Sequence, residues 1–303
     1  TPRPRHRAAR SRLYARRPAP PGPRHRPPRA PSARAALQER KPPPAAGRES
    51  LGAKEVYNLV DKEAPASAES HWLRGTEGLS LQSARPFADA MREQEELWLS
   101  FWDEFDIRIE GDEPNQQGIR YCLFQMRQTY HGQDPSNNIG AKGLTGEAYN
   151  GHAFWDTETY CLPFYLFTNP RAAKNLLEFR YRTLARAMER AAMLDCRGAC
   201  YPVATLNGEE ACTLWQHANL QLQPSTAVAY GIAHYARIAG DRDFLHGRGA
   251  RMVLQISRFL ASRGSWNQAG DGFGFYAVMG PDEFRMMVNN NCYTNFMAKR
   301  SFE

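Results

Sequence analysis

The stretch RAAKNLLEFRYRTLARAMERAAML, residues 171–194, carries Leu177, Tyr181, Leu184, Met188 and Ala191 at three- and four-residue spacing. That period predicts one long helix with an apolar stripe, separated by Asn169-Pro170 from a helix that starts near Trp155. The same period recurs outward in both directions. Phe87, Met91, Leu97, Trp98, Phe101, Trp102 and Phe105 form a stripe from about Pro86, and Ile119, Leu123, Met126 and Tyr130 form another. Downstream, a helix should open after Pro224-Ser225 with Ser225 as its N-cap. A further one should begin at Asp243 and carry Val253, Ile256 and Leu260. Phe273, Phe275 and Ala277 alternate with Gly and Tyr, which suggests a short hairpin. No βαβ alternation is visible, which argues against a doubly wound sheet. The expected class is all-α: helices joined by polar loops, stacked as a bundle or closed as a toroid.

Composition agrees with a folded core and an unusual start. The chain has 303 residues, 42% of them apolar and 23% charged. That is enough for one large domain or two ordinary ones. The mean hydropathy is −0.63, and the apolar run at 160–167 is far shorter than the roughly 20 residues a spanning helix needs. No secretory apolar region follows the first residue, so a cytoplasmic enzyme without membrane attachment is expected. The net charge of +7 divides unevenly. Residues 1–50 hold 14 Lys/Arg, 2 Asp/Glu and 12 of the 21 prolines; residues 51–303 hold 25 Lys/Arg and 30 Asp/Glu. The first segment reads as a disordered Arg/Pro-rich tail, with a basic arm or a transit peptide as alternatives. Residues 51–81 read as a linker and 82–303 as the folded part. The folded part is mildly acidic, so no nucleic-acid partner is expected for it. Six scattered cysteines without a CxxC pair read as free thiols rather than a disulfide or zinc framework.

Four stretches could carry chemistry. Gly280-Pro281-Asp282-Glu283-Phe284 sets two carboxylates side by side after a turn, with Trp266, Phe275 and Tyr276 close in sequence. A carboxyl held against aromatic surface stays protonated, as a general acid for glycosidic cleavage must; a solvated Asp-Glu turn is the plain alternative. Gly151-His152-Ala153-Phe154-Trp155-Asp156 pairs an indole that can cover a sugar ring with a carboxylate that can accept from two hydroxyls. Alternatively, it is only a helix start. Gly208-Glu209-Glu210 precedes Trp215-Gln216-His217, where His217 could contact a phosphate or a hydroxyl, or be structural. Asn289-Asn290-Asn291 could serve a loop backbone or a ligand equally well. No phosphate loop, serine nucleophile elbow or HExxH is present.

The order of these motifs resembles glycoside hydrolase family 65. The residues that carry it are 143–158 (GLTGEAYNGHAFWDTE), 208–217 (GEEACTLWQH), 278–284 (VMGPDEF) and 288–295 (VNNNCYTN), and the resemblance spans about 82–303. It implies an (α/α)6 barrel catalytic domain, of which 82–303 would be the N-terminal part, incomplete at the C-terminus. It implies inverting phosphorolysis of an α-linked glucosyl disaccharide, with Glu283 as general acid and Trp155 and Asp156 lining the glucose subsite. His152, Trp215, His217 and Asn290 complete the substrate-binding set. Disaccharide and inorganic phosphate are the implied partners, with no cofactor or metal, and a homodimer is compatible with this reading. The alternatives are an inverting α-glucosidase or trehalase of the same fold, or an inactive truncated fragment. Two departures stand out: no run of strands precedes the helices, and Arg285 follows the acid motif where relatives often have His.

Overall fold

The computed structural model describes residues 68–146 and 148–303. The predicted tail at 1–50 and the first part of the linker lie outside the described residues. Two compact units divide after Ala84. Within the segment read as a linker, α1 forms over Ala68–Ser83. Trp72, Leu73, Leu79 and Leu81 on this helix are exposed, so its sequence lacks the core-facing stripe that periodicity detects.

The second unit is helical throughout, with one two-stranded hairpin among the described residues. It begins with α2 (Phe87–Phe105) and α3 (Glu113–Thr129). Their predicted stripes meet: Trp98 lies 4.9 Å from Phe124, and Phe101 and Leu123 are buried. Asp112 caps α3 by accepting from the Asn115 N–H at 3.1 Å, with Pro114 in the first turn.

The helix predicted near Trp155 opens as a π turn at Thr157–Cys161 and becomes α4 at Leu162–Thr168. Pro163 has no N–H to give, and the Leu162 N–H reaches back to the Thr157 carbonyl. Asn169 then caps α5 (Pro170–Arg182), accepting from the Ala172 N–H at 3.0 Å.

The single helix expected over 171–194 is two helices, because α6 (Leu184–Met193) starts after a break at Thr183. The Thr183 hydroxyl donates to the carbonyls of Phe179 and Arg180 at 3.0 and 3.2 Å, a local bond that bends a helix. Gly208, in the left-handed region at φ 97°, packs against this break; a Cβ there would lie 2.6 Å from Thr183 Cβ. Leu177, Leu184 and Ala191 of the expected stripe are buried, whereas Met188 is exposed.

After α7 (Trp215–Leu220), α8 runs from Gln223 to Ala239. It starts before the predicted Ser225, because Pro224 fits the first turn of a helix. Ser225 is buried inside α8, where its hydroxyl accepts from the Tyr201 N–H at 2.9 Å. The next helix also starts early. Asp241 caps the single turn α9 (Arg242–Phe244), which leads through a π turn into α10 (Ala250–Arg263). The hairpin pairs β1 (Ser265–Trp266) with β2 (Phe273–Gly274), and α11 (Cys292–Phe302) follows. The core forms where α8 packs on α5, α10 and α11. Leu176, Leu177, Val228, Ile232, Met252 and Ile256 are there completely removed from solvent. The class is all-α, as part of an (α/α)6 barrel would be.

Asp241 couples this packing to pH. Its carboxylate accepts from Lys174 Nζ at 2.7 Å, the Phe244 N–H at 2.9 Å and the Tyr235 hydroxyl at 2.9 Å. The ammonium of Lys174 foremost, then these hydrogen bonds, hold its pKa at about 2, below the ordinary 3.8. The folded state therefore binds this proton more weakly than the unfolded chain. The resulting stability is full above pH 4 and disappears as pH falls toward 2. Urea midpoints across that window should fall more steeply for the wild type than for Asp241→Asn; parallel curves would remove Asp241 as the cause.

Candidate functional site

Three loops and α7 supply the predicted site residues, and long-range backbone pairs tie them together. The first ends in Phe154-Trp155-Asp156. Ala153 and Thr205 exchange both backbone hydrogen bonds, at 2.9 and 3.0 Å, which joins it to the second loop. Behind Phe154, Arg180 of α5 makes a bidentate pair with Glu158, at 2.7 and 2.9 Å, and donates to the Phe154 carbonyl at 3.0 Å. Both charged side chains are buried, 2% and 0% exposed. This pair holds the segment that presents Trp155 and Asp156.

The second loop is organised by Glu210. Its carboxylate accepts from the N–H groups of Val203, Ala204 and Cys212 and pairs with Arg190 at 3.0 Å. Arg190 also donates to the Ala218 carbonyl, which couples this loop to α7 and so to His217. Burial pushes the nearby Cys212 thiol pKa up.

The third loop carries the acid motif. Val278 and Val288 exchange backbone hydrogen bonds at 2.9 and 3.0 Å, closing the loop at its base. The Met279 N–H donates to the Leu220 carbonyl at 2.9 Å and anchors it to the end of α7. Phe284 and Met287 take left-handed φ of 64° and 60°, an uncommon conformation for such residues that concentrates at functional loops. Glu283 Oε1 accepts from Gln221 Nε2 at 3.1 Å, and its Oε2 lies 3.8 Å from His217 Nε2. The Glu283 side chain is 50% exposed, and its hydrogen-bond partner is polar. The apolar enclosure predicted from sequence is not what surrounds it: Trp266 and Phe284 are themselves exposed, and Phe275 is buried in the core.

The structure thus brings Glu283 and His217 together, with the His217 ring 5.1 Å from that of Phe284. Trp155 lies 6.1 Å from Tyr293 and 6.3 Å from Tyr160, an aromatic wall between the first loop and α11. Tyr293 is driven to a higher pKa by burial foremost, with Tyr160 and Tyr230 adding to it. Asp156 is exposed at the mouth of the π turn. His152 turns back on its own loop, its Nδ1 2.7 Å from the Tyr149 carbonyl. Trp215 is exposed on the first turn of α7. The asparagines make hydrogen bonds within the loop and to α11. Asn289 Oδ1 accepts from the Ala277 N–H, the Asn290 N–H donates to the Phe275 carbonyl, and Asn291 caps α11. Asn290 Oδ1 accepts from Asn295 Nδ2 at 3.4 Å and lies against Gly274, leaving no room for a Cβ there.

Sequence reasoning missed Gln221 and the Arg180–Glu158 and Arg190–Glu210 pairs. Their partners are far apart in the chain, with no periodic signal. Among the described residues no group of three or more His, Cys, Asp or Glu side chains could hold a metal ion. All six cysteines are free, and no described helix is long and apolar enough to cross a membrane.

The model of the glycosyl hydrolase family 65 central catalytic domain matches residues 120–303. Maltose phosphorylase of Bacillus subtilis (strain 168) is 41% identical over 218 residues, which are 72% of this chain and 29% of the relative. Alpha,alpha-trehalose phosphorylase of Thermoanaerobacter brockii is 40% identical over 72% of this chain and 28% of its own length. A solved structure, of a candidate kojibiose phosphorylase from the human microbiome, superposes with a TM-score of 0.72 at 55% identity. The match covers 80% of this chain and 32% of that one. The chain spans under a third of the length of these relatives.

Proposed function

The chain belongs to glycosyl hydrolase family 65, and from that premise we propose that the protein carries out inverting phosphorolysis of an α-linked glucosyl disaccharide. The observation that carries this reading is the Glu283 carboxyl, held by Gln221 and flanked by His217 on a loop closed at its base. Glu283 is the general acid. It gives its proton to the glycosidic oxygen as the C1–O bond breaks and the bonding electrons pass to that oxygen. Inorganic phosphate attacks C1 from the opposite face, so the products are β-glucose 1-phosphate and a free sugar. Phosphate is already an anion, so no carboxylate base is required, whereas an inverting hydrolase needs one to activate water.

Trp155 covers the apolar face of the glucose ring, and Asp156 accepts from its hydroxyls. His152, Trp215, His217 and Asn290 complete the substrate-binding set, and residues 82–303 form the N-terminal part of the catalytic domain. The step uses phosphate as co-substrate and calls on no cofactor. A cytoplasmic setting, where phosphate and the sugar products are both at hand, belongs to the same proposal. Relatives named for maltose, trehalose and kojibiose phosphorolysis support the reaction type.

The test incubates the full-length protein with maltose, trehalose, kojibiose and nigerose, with and without phosphate, and reads the product anomer by proton NMR. β-Glucose 1-phosphate formed only with phosphate is the expected result. Free glucose formed at equal rate without phosphate would replace phosphorolysis with hydrolysis.

A further inference from the structure

We infer that Gln221 is a positioning residue that assigns the catalytic proton of Glu283 to one carboxyl oxygen, Oε2, and stabilises the carboxylate left after transfer. The inference rests on the reading of Glu283 as the general acid. Gln221 ends α7 and is 3% exposed. Its Nε2 has two partners: Met279 Sδ at 3.5 Å and Glu283 Oε1 at 3.1 Å. The Met279 sulfur can only accept, which fixes the orientation of the amide: a flipped side chain would set its oxygen against that sulfur. In the observed orientation Oε1 of Glu283 is occupied as an acceptor, and the acidic proton belongs on Oε2.

Among the described residues Gln221 Oε1 and His217 Nδ1 are buried without a hydrogen-bond partner, as are six other side-chain atoms. The N–H of Gln221 points at the carboxyl group where negative charge grows. As the proton leaves Oε2 for the glycosidic oxygen, Glu283 becomes an anion. A donor already in place stabilises that charge without reorganising. His217 Nε2, at 3.8 Å from Oε2, stands beyond hydrogen-bond range and leaves that oxygen open to the substrate.

The test compares two leaving groups in the full-length protein. A disaccharide needs its departing oxygen protonated. α-Glucosyl fluoride with phosphate does not, because fluoride leaves as the anion. Gln221→Met keeps the bulk and removes both the donor and the orphan oxygen, so the melting temperature should stay near that of the wild type. Its kcat on the disaccharide should fall about 10- to 100-fold, the weight of one hydrogen bond to a charged group, with KM unchanged. Its rate on glucosyl fluoride should match the wild type. Gln221→Glu, isosteric but a donor only when protonated, should regain disaccharide turnover relative to wild type as pH falls.

Equal losses on both substrates, or an unchanged disaccharide rate, would overturn the inference. Glu283→Gln separates the two levels. If it keeps disaccharide turnover, the assignment of the acid itself fails. If it loses turnover while Gln221→Met does not, only the positioning role fails. A wild-type protein that turns over neither substrate overturns the functional reading and this inference with it.

Discussion

Glu283→Gln is expected to lower disaccharide phosphorolysis by about 10²–10⁴-fold, the usual contribution of a positioned general acid. The substitution is isosteric and removes only the transferable proton. The amide oxygen of the new side chain can still accept from Gln221 Nε2, the partner that holds Oε1 at 3.1 Å. The Glu283 side chain is half exposed and makes no buried ion pair, so stability should change by no more than about 0.5 kcal/mol. The loss should appear in kcat and in kcat/KM alike, because an interaction made only in the transition state is removed. Steady-state kinetics with thermal melts on the same samples make the check. A variant with wild-type turnover would exclude Glu283 as the proton donor and move attention to Asp282, which is paired with Arg285 at 3.0 Å.

The helical class was legible because apolar residues repeat at the period of a helix. Leu177, Leu184 and Ala191 sit where that period puts them, as do Phe101 and Leu123. The period is blind to breaks made by one side chain. Thr183 divides α5 from α6 while Leu184 keeps its place in the stripe, so the apolar pattern passes through the break unchanged. The loops were legible as motifs, but not as a site. Glu158 lies 22 residues from Arg180, and Gln221 lies 62 residues from Glu283. Such pairings arise only when the chain has packed, and leave no local trace. The environment of Glu283 was misread for a related reason. Of its neighbours in sequence, Trp266 is exposed and Phe275 lies in the core, while the groups that meet the carboxyl come from α7 and the residue that caps its C-terminus.

Arg180→Met should destabilise the protein by about 3–5 kcal/mol, because it leaves a buried carboxylate without its counter-ion. Glu158 is completely removed from solvent, and both of its oxygens accept from Arg180. Water cannot take over that role without opening the packing between the π turn and α5. The same substitution frees the Phe154 carbonyl, and with it the segment that carries Trp155 and Asp156. Disaccharide KM should therefore rise in whatever fraction remains folded. The double variant Arg180→Met with Glu158→Leu should recover most of the lost stability, since an apolar pair of similar volume often replaces a buried ion pair at little cost. Its KM should stay high, because the Phe154 carbonyl is still without its donor. Urea unfolding of the wild type, the single variant and the double variant tests the first expectation, and KM of the double variant tests the second. A single variant within about 1 kcal/mol of wild type would mean that Glu158 finds another partner or a proton when Arg180 is gone. A double variant with restored stability and wild-type KM would separate the ion pair from the placement of the sugar-binding segment.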